Sequence, residues 1–528
     1  MYKILENKDE SVSVYENDRY ICSFKAETNL DKSVELLELF NNIQTIDGRK
    51  IYQLWEYNGY WYYAAFQEWL YWDFFVGLVQ HKALNSFLQT NKFDFLKSPY
   101  YVNGRFSRMY KMLHGRHSIF WKILLNWVCF FKRLLRKSLK DKVLLHDDGH
   151  AGFRYRNLKS VLKKLCVPYL RVEYPTFNNL MAKETNQALY WSGGKKLNYQ
   201  SVRDLFDYSQ IGELKEYINE SDFFSLIDAI NFKCQDSIYE TEFVSADIKI
   251  NSPKMFVTYD QVERVIPLII ACKLNGIKAI SYQHGPITKF HAGWIAYGIP
   301  KNFCNAVPDQ LVMWGEYWRD HLCAMSNKYN ISNTRIGAHL NKKISYDSFE
   351  GYSNVRKHFD VDFTNIKILV PFEFLADNIE ISRYLEIFID YGWTVCVKLR
   401  PSEGVNTDSD RYAFSKKVQE EASFVSELSD TELASFSAVI CTQSIFALEM
   451  MRFSVPIWYL DTSVPFLKNI VKGGIAHFLT INLVSKFAHK EILRPFLDPI
   501  YTMSNYSSVF SDISLDTFLS TELFEDSQ

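Results

Sequence analysis

Four short polar strings hold the residues with the most chemistry to offer: HDDGH at 146–150, YQHG at 282–285, KLRP at 398–401 and CTQS at 441–444. Each closes an apolar run of strand length, and in open parallel sheets ligands bind outside the carboxyl ends of the strands. His284 offers an imidazole that can accept a proton or, when charged, lie against a phosphate. Gln283 precedes it, and Gly285 follows as a residue that permits a close backbone turn. The same tripeptide also suits a turn whose histidine satisfies a backbone carbonyl. Asp147 and Asp148 could each take a proton from an acceptor hydroxyl; Asp-Asp-Gly is equally an ordinary turn, and the choice between the two stays open. Thr442, Gln443 and Ser444 stand before a helical pattern, where hydroxyls and the N–H groups of a helix start form a phosphate site. Ser444 also makes an N-cap, and the two roles are compatible. Glu449, one turn on, could accept hydrogen bonds from a ribose or simply face solvent. Lys398 and Arg400 stand at a strand end, where a cation can meet a ligand phosphate.

The elements that must carry these strings alternate in type. KVLLHDDGH reads as a strand, FRYRNLKSVLKKL as a helix and VPYLRVEYP as the next strand. PKMFVTYD, QVERVIPLIIACKLNG and IKAISYQHG repeat the unit, the helix ending at Gly276. NIKILVPFEF, a helix around SRYLEIFIDYG and WTVCVKLRP repeat it again, followed by SAVICTQ, SIFALEMMRFS and VPIWYLD. Strand and helix in alternation predict parallel sheets covered by helices. The expected division is a mostly helical, aromatic-rich module over 1–141, an α/β domain over 142–333, a second over 334–485 and a tail over 486–528.

At 528 residues the chain has room for two or three domains, and Gly 21 with Pro 14 excludes a collagen-like or linker-dominated protein. Sixty basic against sixty-one acidic side chains give a net charge of -1, which supplies no global field for nucleic acid. Nine cysteines, without a Cys-x-x-Cys pair or a histidine cluster at metal spacing, argue against a disulfide framework or zinc site and fit a reducing cytoplasm. MYKILENKDESVSVYENDRY lacks the apolar core and cleavage site of a signal peptide. Aromatic residues are 16% of the chain, and the run at 55–75, WEYNGYWYYAAFQEWLYWDFF, is aromatic nearly all round a helix, a pattern of core rather than of a ligand cage.

Between Ile119 and Leu135 the chain is apolar but interrupted by Lys122, Asn126, Lys132 and Arg133, too short and too charged to span a bilayer. Phe120, Leu124, Trp127, Phe131 and Leu134 recur at helical spacing before a basic cluster of Lys132, Arg133, Arg136, Lys137, Lys140 and Lys142. An amphipathic helix on an anionic membrane surface has this pattern, and so does a buried helix with a solvated basic end. Walker, Gly-x-Gly-x-x-Gly and Gly-x-Ser-x-Gly elements are absent, which disfavours a P-loop NTPase, a dinucleotide oxidoreductase and an α/β hydrolase.

In order along the chain, SYQHGPITKFHAGW, VPDQLVMWGEYWRDHL, VCVKLRP and SAVICTQSIFALEMMRFSVPIWYLD resemble the bacterial surface-carbohydrate and capsule glycosyltransferases of GT-B fold. That grouping includes polysialyltransferases, capsule Kdo transferases and teichoic-acid glycerophosphotransferases, and the resemblance covers residues 142–465. It implies two Rossmann-like domains facing a cleft, the first taking the acceptor and the second the nucleotide-linked donor. It further implies an inverting, metal-independent transfer without a cofactor, in which a base deprotonates the acceptor while cationic groups and helix starts stabilise the departing phosphate.

On that resemblance His284 falls in the Gln-His-Gly position near the reacting centre. Thr442 and Ser444 fall in the donor-phosphate motif, and Glu449 matches the glutamate after it. Many relatives carry His-Pro where this chain has Arg400-Pro401; arginine keeps phosphate binding but not proton donation. Asp148, Asp147 and, on TYDQVERV, Glu263 are the candidate bases, Glu263 being also a plain surface carboxylate. The implied partners are a nucleotide sugar and a glycan or lipid-linked acceptor, at the inner face of the cytoplasmic membrane, in capsule or lipopolysaccharide synthesis. A non-catalytic nucleotide-sugar or glycan-binding component of an assembly complex is the alternative, and a nucleotide-sugar epimerase a further one.

Overall fold

The computed structural model describes residues 2–6, 12–16, 19–24, 29–90, 109, 140, 142–146, 155–173, 188–190, 198–258, 265–337, 363, 365–372, 378–399, 411–463 and 466–524. Asp147, Asp148, Glu263, Arg400 and residues 119–139 of the basic amphipathic segment lie outside the described residues. The chain divides into two compact units. The first comprises Met1–His284, Lys289–Val312 and His321–Arg335, and the second Gly285–Thr288, Met313–Asp320 and Ile336–Gln528.

The first unit opens with an antiparallel sheet of β1 (Tyr2–Glu6), β2 (Val12–Glu16) and β3 (Arg19–Phe24), an addition to the helical module expected there. The aromatic run is not one helix. Asn58 and Gly59 take φ of 50° and 81° and turn β4 (Glu56–Tyr57) into β5 (Tyr60–Trp61), as Asn-Gly pairs do in hairpins. Helical backbone starts only at Tyr63. The core expectation for the run holds: Trp55, Tyr62, Tyr63, Phe66, Tyr71, Phe74 and Phe75 are buried. Two of these side chains bond to the long helix Glu220–Asn251: Trp55 Nε1 donates to Asn231 Oδ1 at 2.9 Å and the Tyr62 hydroxyl to Thr241 at 2.7 Å. These contacts tie the N-terminal module and the sheet behind it into one unit.

That sheet holds β6 (Val143–His146), β7 (Tyr169–Glu173), β8 (Ala188–Tyr190), β9 (Met255–Thr258), β10 (Lys278–Tyr282), β11 (Gln310–Met313) and β12 (Thr334–Ile336). Its order is β12-β11-β10-β9-β6-β7-β8, with β6, β7, β8, β9, β10 and β11 paired in parallel. All four residues of β6 and of β9 are buried, the continuous apolar run that a strand covered on both faces requires. Helix Ile266–Leu274 links β9 to β10, starts with proline in its first turn and gives way to Gly276 at φ 69°, a conformation that glycine adopts without strain.

The second unit is a six-stranded parallel sheet of β13 (Lys367–Pro371), β14 (Thr394–Lys398), β15 (Ser423–Val425), β16 (Ala438–Cys441), β17 (Ile457–Leu460) and β18 (His477–Leu479). The order β15-β14-β13-β16-β17-β18 is the 3-2-1-4-5-6 arrangement of a Rossmann fold. Helix Asn378–Asp390 buries Ile381, Tyr384, Leu385 and Phe388, a helical stripe, against Val395, Val397 and Trp458 of the sheet. Residues from 486 onward are not an appendage. The Tyr501 hydroxyl donates to the Val455 carbonyl at 2.8 Å, and Ser511 N–H to the Trp314 carbonyl.

Candidate functional site

A doubly wound sheet has a topological switch point where consecutive connections leave a central strand in opposite directions, and the crevice there is open to a ligand. In the second unit the switch lies between β13 and β16. Thr442, Gln443 and Ser444 form the turn after β16, and Ser444 caps helix Ile445–Glu449, its hydroxyl oxygen accepting from Phe446 N–H at 3.2 Å. Thr442 is fully buried beneath this turn, while Gln443 and Ser444 are half-buried.

Lys398 ends β14, on the far side of β13 from that turn. Its ammonium lies 4.8 Å from the centroid of Phe446, so the side chain reaches across the end of β13 to the first turn of the helix. Burial lowers its pKa, while Glu449 and Glu427 pull it back up. Glu449 ends the same helix and is half-buried. Desolvation pushes its carboxyl up to about 7, against the opposing attraction of Arg452 and Lys398. Lys398, Ser444 and Glu449, far apart in sequence, thus converge at one strand edge. Arg452, which the sequence reading did not select, completes the charge pattern: its guanidinium donates to Asp430 at 3.0 Å.

In the first unit His284 stands two residues beyond β10. Gln283 before it is fully buried, and its backbone N–H donates to the Val312 carbonyl at 2.9 Å, extending the β10–β11 pairing. Its side chain is closed off from solvent, which suits support of His284 better than ligand contact. Gly285 lies outside the left-handed region, and an added Cβ would meet nothing within 4 Å among the described residues. The turn therefore does not itself demand glycine.

The His284 ring packs against His291, centroids 5.4 Å apart, and against Trp294 at 4.8 Å. His291 and Trp294 stack at 4.4 Å with an interplanar angle of 22°. Neither was singled out from the sequence, although both stand in the string that carries the resemblance. The switch point of this sheet lies between β6 and β9, whose last residues, His146 and Thr258, are buried with Nδ1 and Oγ1 3.4 Å apart. Asp147 and Asp148 follow His146 directly in sequence.

No protein-family model and no curated protein matches the chain. Among solved structures, MurG of Acinetobacter baumannii is 11% identical, with 73% of this chain and 99% of that chain covered, at TM-score 0.43. The lipopolysaccharide outer core galactosyltransferase WaaB is 12% identical over 73% and 99%, at TM-score 0.41. UDP-GlcNAc 2-epimerase from Neisseria meningitidis bound to UDP-GlcNAc is 10% identical over 72% and 99%, at TM-score 0.41. The assignment of class rests on the two sheets themselves, which define an α/β protein of two Rossmann-like units.

Proposed function

We propose that the chain is a glycosyltransferase that moves a sugar from a nucleotide-activated donor to a growing cell-surface polysaccharide or lipid-linked glycan. The observation that carries this reading is the convergence of Lys398, the Ser444 turn and Glu449 at the switch point of a 3-2-1-4-5-6 sheet. A cation and a capped helix start there are suited to the phosphates of a donor, and the Glu449 carboxyl to a hydroxyl of its ribose. Thr442 and Gln443 would shape the turn and Arg400 add a second phosphate contact.

In the reaction as proposed, a carboxylate of the first unit (Asp148, Asp147 or Glu263) takes the proton of the acceptor hydroxyl. The oxygen attacks the donor carbon with inversion, and the nucleotide leaves with its charge held by Lys398 and Arg400 rather than by a metal. His284 serves near the reacting atoms. The acceptor would lie at the inner face of the cytoplasmic membrane, as in capsule or lipopolysaccharide synthesis, and the basic segment 119–142 would attach the protein to anionic lipid. Among the described residues no helix is long and apolar enough to cross a membrane.

A thermal-shift screen with CMP, CDP, UDP, GDP and dTDP tests the donor site, because a ligand bound by the folded state raises the melting temperature by mass action. One nucleotide is expected to stabilise the protein clearly above the others. Failure of all five at saturating concentration would remove the donor site and leave the non-catalytic reading.

A further inference from the structure

Lys328 is among the least expected residues of the first unit: a lysine with 4% exposure, its ammonium enclosed by protein. Lysine is rarely buried unless its charge has partners. Here Nζ donates to two backbone carbonyls, those of Ala292 at 3.2 Å and Gly293 at 2.9 Å. Its neighbours in sequence work on the same stretch of chain. The Ser326 hydroxyl donates to the Trp294 carbonyl, and the Asn327 amide donates to the carbonyls of Ala296 at 3.0 Å and Ile299 at 2.9 Å. Three consecutive side chains thus satisfy five carbonyls between residues 292 and 299.

That stretch is neither strand nor helix, so apart from Ile299 N–H on the Ala296 carbonyl and the Asn41 amide on the Tyr297 carbonyl, its carbonyls rely on these donors. Trp294 lies within it and His291 directly before it, the two rings that pack on His284. The charged or titratable groups acting on Lys328 are Cys304 and the carboxylate of Glu68. Glu68 closes so near to Gly293 that a Cβ there would collide with its carboxylate. An ammonium between two carbonyls, with a carboxylate nearby, pins the turn electrostatically as well as by hydrogen bonds.

We propose that Lys328, with Ser326 and Asn327 beside it, is a positioning residue for His284: it holds the 292–294 backbone so that His291 and Trp294 fix the plane of the His284 imidazole. The role of His284 in catalysis rests on the glycosyl-transfer reading; the positioning of its ring does not.

The test follows the imidazole directly. Full-length protein labelled with 13C at histidine Cε1 is titrated by NMR, the His284 signal being assigned by its loss in His284→Gln. In Lys328→Met the His284 resonance is expected to move and its titration midpoint to change, while histidines of the second unit, such as His477 and His489, keep theirs. An unaltered His284 resonance and midpoint in a folded Lys328→Met protein would overturn the proposal and leave Lys328 a structural anchor only. Should that variant not fold, Ser326→Ala carries the same comparison: it removes the donor to the Trp294 carbonyl, together with the acceptor of the Lys328 and Tyr329 N–H groups, and keeps the Lys328 ammonium. A moved His284 signal then supports the proposal and an unmoved one overturns it. If the ring moves but no nucleotide stabilises the parent protein, positioning stands and the glycosyl-transfer reading alone fails.

Discussion

Lys398 holds its ammonium 4.8 Å from the centre of the Phe446 ring, so a cation from the end of one strand rests on the first turn of the helix that follows another. The strand between them, β13, is the centre of the sheet. The contact places positive charge over the crevice of the switch point without consuming it in a salt bridge among the described residues. Replacing Lys398 with Met keeps the aliphatic stem on Phe446 and removes only the charge. The expected result is nucleotide affinity about tenfold or more weaker, the size of one lost charge-assisted hydrogen bond, with little change in melting temperature. Calorimetric titration of parent and variant with the stabilising nucleotide decides it; equal affinities would take Lys398 out of the site.

Glu449 makes the same crevice sensitive to pH. Its carboxyl is raised to about 7 in the folded protein, from an ordinary 4.5. Between those values the folded state binds more protons than the unfolded state, so stability from this group is fully present below the ordinary value and is lost as pH rises through about 7. Glu449→Gln, which cannot ionise, should reduce the fall in melting temperature between about pH 5 and pH 7.5. Nucleotide binding should strengthen over the same range in the parent as the carboxylate that accepts from the ribose hydroxyl forms, and should change less in the variant. Parallel pH profiles for parent and variant would show that Glu449 titrates elsewhere.

Much of the sheet architecture was legible because both sheets are parallel and covered. β6, β9, β16 and β17 are buried along their whole length and appear in the sequence as unbroken apolar runs ending in polar turns. Ser444 was legible for a local reason, since an N-cap lies next to the helix that it starts. What escaped was non-local or disguised. The Asn58-Gly59 turn was hidden inside an aromatic run that also suits a helix. Arg452 and Lys328 look like surface cations in sequence, and only the packing of distant segments buries them. The last residues resisted because their helices are short, Lys490–Leu493 and Met503–Val509 among them, and offer too few turns for a periodic signal.

His284 separates an enzyme from a binding module. It lies at the end of β10 with its ring packed against His291 and Trp294. His284→Ala removes a partly exposed ring at the edge of the fold, so the melting temperature should fall by only a few degrees. Sugar transfer should drop by about 100-fold or more if the imidazole moves a proton or stabilises charge in the transition state. Nucleotide binding should persist, because the donor contacts proposed here come from Lys398 and the Ser444 turn. Undiminished transfer in the variant would remove His284 from the catalytic set, and absence of transfer in the parent with every donor that binds would favour the binding module.

Lys328 yields a prediction of opposite sign to that of Glu449. Burial lowers its pKa from 10.5 to about 8, with Cys304 and Glu68 pulling the other way. Between those values the unfolded state holds the extra proton, so stability should rise with pH across the window, and the contribution is lost as pH falls through about 8. The full span corresponds to about 3 kcal/mol. Lys328→Met lacks this titration, although it leaves the Ala292 and Gly293 carbonyls without their donor, a cost of about 1–3 kcal/mol that does not vary with pH. The difference in unfolding free energy between parent and variant should therefore change steadily in favour of the parent from pH 8 to pH 10.5, as measured by urea titration at each pH. A difference that stays flat over that interval would mean that the ammonium is not desolvated in the folded protein, and the clamp on the 292–294 turn would lose its electrostatic part.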